Sequence, residues 1–137
     1  MLDTPLSTEL NELMARAQEG SDRIGYSDAG VSAYTAETWQ KDFRRHYHVR
    51  KFNTVPAEES FEESLAEWYG CTAPALCEKI RERLGEPLQV LRAEDHYALT
   101  DQLSCSSGRI GAYYFTDDAF FVVFRTHALA FILGSFD

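Results

Sequence analysis

Residues 109–133, RIGAYYFTDDAFFVVFRTHALAFIL, are the most apolar and aromatic part of this 137-residue chain, and they constrain its fold more than any other stretch. Residues 110–115 and 119–124 are rich in the aromatic and β-branched types that fit a pleated surface. The short polar residues between them, Thr116, Asp117 and Asp118, tolerate turn geometry. With Asp117-Asp118 as a two-residue turn, Phe115 pairs with Phe120, Tyr113 with Val122 and Gly111 with Phe124. A third segment, 128–133, alternates Leu129, Phe131 and Leu133 against Ala128, Ala130 and Ile132. The stretch predicts an antiparallel β-meander with one bulky apolar face and a second apolar face of smaller residues, Ala112, Ala128 and Ala130 among them. Arg125-Thr126-His127 contains neither Gly nor Asn, so a single bent strand over 119–133 is the alternative to a turn there.

A half-solvated antiparallel sheet alternates apolar with polar residues; this one does not. Its second face needs a cover. Helices of the same chain are the first expectation, the helix carrying Trp39 and Tyr47 foremost, and a second copy or a partner protein is the other.

Upstream, the apolar spacing is helical. Residues 4–19 place Leu6, Leu10, Leu13, Met14 and Ala17 on one face, with Thr4 as cap, Pro5 at the first helical position and Gly20 as the stop. Residues 20–35 are turn-rich, with a short strand at 31–34. A second helix runs from a Thr35 cap to about Val49, with Trp39, Phe43 and Tyr47 at i, i+4 and i+8. Thr54 and Pro56 open a third, which passes through Glu58 and Glu59 to Tyr69 and stops at Gly70. The fourth begins at Thr72 with Pro74 in its first turn and stops at Gly85. Residues 87–92 read as a strand, 96–103 as either strand or helical turn, and 104–108 as a loop. The predicted class is α+β: about four helices, then a C-terminal antiparallel meander in a sheet of three to five strands, all in one domain over 1–137.

The formal net charge is −9 and is unevenly spread. Residues 1–34 carry −4, 35–56 carry +3, 57–101 carry −7 and 102–137 carry −1. So acidic a chain is disfavoured as a nucleic-acid binder and suits a basic protein partner. The acidic run Glu58, Glu59, Glu62, Glu63 and Glu67 is the first candidate surface for that partner. The one basic island, Lys41, Arg44, Arg45, His48 and Lys51, interleaves with aromatics in the way that single-stranded nucleic-acid binders do; it also fits docking on an acidic protein. The bland alternative is that the aromatics enter the core while the cations answer nearby acids.

No spacing names a reaction. Residues 25–30 lack the Gly-Lys-Ser/Thr ending of a phosphate loop. From Cys105 to Arg109 there are too few residues for a cysteine-phosphatase loop. Cys105 with His96 or His127 is the one nucleophile–base pairing the chain offers. His46 and His48 stand two apart, on different sides of a helix, and Cys71 and Cys77 lack the spacing of a zinc knuckle. A helix-turn-helix at Gly70-Cys71 would present a heavily acidic first helix to DNA. No cofactor or metal is expected. Three cysteines and an N-terminus without a basic and apolar leader suggest reduced thiols in the cytoplasm, and no membrane span is expected. The functional expectation is a non-catalytic protein-binding module of inhibitor, immunity or adaptor type, an analogy of size and charge. A small cysteine enzyme, a nucleic-acid binder through residues 41–51, and a homodimer through the sheet are the alternatives.

Overall fold

The computed structural model describes residues 1–21, 27–110 and 115–135, with 27–28, 105–110, 115 and 135 described through the backbone alone. The described elements are α1 (Thr4–Glu19), β1 (Ser27–Thr35), α2 (Trp39–Tyr47), β2 (Thr54–Pro56), α3 (Phe61–Tyr69), α4 (Ala73–Leu84), β3 (Gln89–Ala93), α5 (His96–Ile110), β4 (Phe115–Val123) and β5 (His127–Ser135). A single 3-10 turn, Gly70–Thr72, joins α3 to α4. The strands form one antiparallel sheet in the order β1-β5-β4-β3-β2, so the class is α+β. Among the described residues no helix is long and apolar enough to cross a membrane.

The two apolar faces predicted for residues 119–133 are both present and both covered within the chain. On one side Phe120, Val122, Phe124, Leu129 and Phe131 pack against α1, α3 and α4. Phe120 and Phe131 pair directly across β4 and β5, with ring centroids 4.7 Å apart, and Trp68 meets Phe120 edge-on at 4.9 Å. On the other side Ala119, Phe121, Ala128, Ala130 and Ile132 receive Trp39 and Phe43 of α2 and Leu99 and Leu103 of α5. Small residues on this face let α2 approach closely enough for Phe121 to lie 5.0–5.3 Å from the rings of Phe52, Phe43 and Trp39. The face that a second copy or a partner would otherwise cover is filled by α2 and α5.

The turn expected at Asp117-Asp118 is not there. Both residues lie inside β4, at a β-bulge where the register slips between Thr116 and Asp118. Phe115 pairs with Ser135 instead of Phe120. Ile110 ends α5, and Gly111, Ala112, Tyr113 and Tyr114 lie outside the described residues. The bulge is held by what Asp118 reaches. Its Oδ1 accepts from Arg92 Nη1 (2.7 Å) and from the Ala119 amide (2.9 Å), and its Oδ2 accepts from Trp68 Nε1 (2.9 Å). The chain turns at Arg125-Thr126, closed by Phe124 N–H donating to His127 O (2.7 Å). That turn lacks glycine and is tethered from outside. The His127 ring contacts Asp3 Oδ2 (3.0 Å) and the Thr126 hydroxyl (2.9 Å), while the Ala36 amide donates to Thr126 O (3.1 Å).

Further boundaries differ for local reasons. Asp3, not Thr4, caps α1, accepting from Leu6 N–H at 3.0 Å. Thr38 precedes α2, in place of Thr35. Thr54–Pro56 is a strand, and α3 begins at Phe61 behind a capping box in which Ser60 and Glu63 bond each other's backbone amides. The ambiguous 96–103 segment and the expected 104–108 loop are helical. Asp95 starts α5 by accepting from Ala98 N–H (3.0 Å), and Leu99 and Leu103, one turn apart, enter the core. Sheet contacts override the weak helix propensity of the serines here.

Both sheet edges are blunted. Along β1 the Asn11 side chain of α1 imitates a strand: its Oδ1 accepts from Val31 N–H (3.0 Å) and its Nδ2 donates to Val31 O (2.7 Å). Ala33 N–H donates to Ser7 Oγ (2.9 Å), and Asp3 N–H to Ala33 O (2.8 Å). At the other edge β2 is three residues long and contains Pro56, which has no N–H to offer.

Candidate functional site

α2 is strongly two-sided. Trp39 and Phe43 are buried, and half-buried Tyr47 donates or accepts a 3.0 Å hydrogen bond with the buried Ser32 hydroxyl. Two residues further along β1, the hydroxyl of fully buried Tyr34 lies 2.8 Å from His46 Nδ1. Burial pushes the Tyr34 hydroxyl well above the ordinary phenol range, so it keeps its proton. These two bonds to β1 fix the rotation of α2 about its axis. Lys41, Arg44, Arg45 and His48 then fall at i, i+3, i+4 and i+7, one stripe directly opposite the buried face, and all four are exposed. Sequence spacing located the cations; the fixed rotation makes them one surface.

The stripe continues past the helix. His48 takes a left-handed conformation (φ 57°) and turns the chain, and Arg44 Nη2 donates to Arg50 O at 2.7 Å. Gln102 of α5 clamps the next segment: its Oε1 accepts from the amides of Arg50 (2.8 Å) and Lys51 (3.1 Å), and its Nε2 donates to Lys51 O (3.0 Å). Arg50 thereby joins the basic surface. Its charge was visible in the sequence, but nothing there singled out Gln102, an ordinary glutamine 51 residues away from Lys51. Beside Lys51 lies an open cleft of about 670 Å³ between residues 51–53 and the start of α5, bordered by Glu94, Asp95, His96 and Tyr97, the last 82 % exposed.

Among the described residues, none of Lys41, Arg44, Arg45, Arg50 and Lys51 has a carboxylate within 4.0 Å. Asp42, the one acid of α2, accepts instead from the Thr38 hydroxyl (2.6 Å) and the Met1 amine. Cations in the last turn of a helix are favoured by its dipole, which accounts for Arg44 and Arg45. Lys41, in the first turn, has no such reason.

The acidic run on and before α3 is the reverse. Glu62 pairs with Arg81, Glu59 lies 3.8 Å from Arg92, and Glu63 is part of the capping box. Glu58 and Glu67 remain exposed, with no ion pair among the described residues. Three of the five glutamates thus serve the fold.

His96 and Cys105 sit nine positions apart on α5, an axial separation of about 13.5 Å; the side chain of Cys105 lies outside the described residues. His127 is engaged by Asp3 and Thr126. Cys71 is exposed and Cys77 buried, both as free thiols, and burial pushes Cys77 up to about 11. Among the described residues no group of three His, Cys, Asp or Glu side chains could hold a metal ion. Comparison of the chain with protein-family models, with curated proteins and with solved structures returned no match.

Proposed function

We propose that the protein is a protein-binding module of inhibitor or adaptor type, working in the cytoplasm, that docks an acidic partner surface on the basic stripe of α2. One observation carries this reading. In a chain with a net charge of −9, five cations from Lys41 to Lys51 stand together with no carboxylate within 4.0 Å among the described residues, while Arg81, Arg83 and Arg92 each have one. Intramolecular electrostatics alone would disperse such a cluster among the acids. A protein partner fits better than nucleic acid. The aromatics interleaved with the cations, Trp39 and Phe43, are spent in the core and offer no stacking platform, and the remaining surface repels phosphate.

A second reading, a basic partner on α3, has the free carboxylates of Glu58 and Glu67 in its favour. Affinity capture from the native cell with paired charge reversals separates the two. Lys41→Glu with Arg45→Glu is expected to lose the partner, and Glu58→Lys with Glu67→Lys to retain it. Loss in the second pair alone favours the α3 face. Capture abolished by nuclease treatment would assign the stripe to nucleic acid.

A further inference from the structure

On the opposite side of the molecule α1 and α4 leave a groove of about 290 Å³ between them. Its floor is apolar, formed by Leu13, Ala17, Ala75 and Leu76, and Arg16 and Lys79 stand over it from the two helices. The groove is well made. Thr72 Oγ1 donates to Ala17 O at 2.8 Å, sewing the end of α1 to the start of α4, and the Cys71 thiol closes one end, 3.5 Å from Gly20 O. Both cations are exposed and have no carboxylate partner within 4.0 Å among the described residues. Among the described residues no acid lines the groove. That is unexpected here, because the surrounding surface of the same two helices carries exposed Glu12, Glu19, Glu78 and Glu82.

We infer that this groove binds a small apolar monocarboxylate. The floor takes the hydrocarbon body, and Arg16 and Lys79 take the carboxylate through charge-assisted hydrogen bonds. The size lies at the lower end of the range for ligand clefts, about 300–1,000 Å³, which suits a short chain or one ring better than a nucleotide. The exposed glutamates of the same two helices oppose a polyanion or an acidic peptide more than a single negative group.

Cys71 lines the groove and reports its occupancy. Alkylation of the full chain by iodoacetamide, followed at the Cys71 peptide by mass spectrometry, is compared with and without 4-phenylbutyrate. Its neutral isostere 4-phenylbutan-1-ol serves as the control. Alkylation of Cys71 is expected to slow about tenfold when the acid reaches about ten times its Kd, with the alcohol giving little protection. In the Arg16→Gln, Lys79→Gln variant about tenfold more acid should be needed. An unchanged rate without ligand in that variant shows that the groove itself is intact. Equal protection by acid and alcohol, protection that survives the double substitution, or no protection by the acid would each overturn the assignment.

Discussion

Burial favours the neutral form of His46 where it stands. Its ring is half-buried beside Tyr34, with Nδ1 2.8 Å from the Tyr34 hydroxyl. Burial, with His48 adding to it, holds its pKa below the ordinary 6.5. Between that lowered value and 6.5 the unfolded chain binds the proton more readily. The contribution of His46 to stability is therefore complete above pH 6.5 and is lost as the pH falls through the folded pKa. Urea midpoints measured from pH 7 to pH 5 are expected to fall less in His46→Gln than in the natural chain. Asp118 is the other decisive single residue. It accepts from Arg92, Trp68 and the Ala119 amide while about four-fifths buried. Asp118→Ala leaves a guanidinium and an indole N–H without their acceptor and is expected to cost about 2–4 kcal/mol in urea denaturation. Asp118→Asn keeps an acceptor and is expected to cost about half as much.

Of the elements, β1 depends most on a neighbour outside its sheet. The Asn11 side chain occupies the Val31 N–H and C=O that an added strand would use. Asn11→Ala is expected to destabilise by about 1–3 kcal/mol and to speed hydrogen exchange at the Val31 amide while leaving Leu129, deep in the sheet, protected. Elements were legible in the sequence where periodicity was long. α1 and α4 fall where their apolar spacing and glycine stops put them, and the alternation of 119–133 sorted its residues correctly onto two faces. Elements whose bounds rest on distant contacts were not legible. Asp117-Asp118 has turn composition, but Arg92 and Trp68, 26 and 50 residues from Asp118, hold it in a strand. Arg125-Thr126 has no turn composition and turns because Asp3 and Ala36 tie it down. The Ser-rich end of α5 reads as loop and is helical because Leu99 and Leu103 anchor the turns before it.

Across the whole molecule the charges separate by layer. The helices on one side of the sheet carry most of the glutamates, and of the two on the other side α2 carries the basic stripe. Such a molecule orients as it approaches a charged surface, because the acidic layer is repelled as the stripe is drawn in. Association with an acidic partner is expected to slow about tenfold or more between about 0.05 M and 0.5 M salt, with dissociation changing less, as stopped-flow measurements can resolve. The basic island was visible in one dimension as a charge excess. That it forms an unpaired surface was not, since pairing depends on where Asp42 and the α3 glutamates point in the fold.

The strand order has a consequence for the biosynthesis of the protein. β5 lies between β1 and β4, so β1 has no partner until residues about a hundred positions further on have been made. At about 5–20 residues per second, β1 waits on the order of 5–20 s for β5, while α3 and α4, made earlier, can already cover Leu6, Leu10 and Met14 of α1. During that interval Asn11 can already occupy the outer edge of β1, so that only the edge reserved for β5 stays open to neighbouring chains.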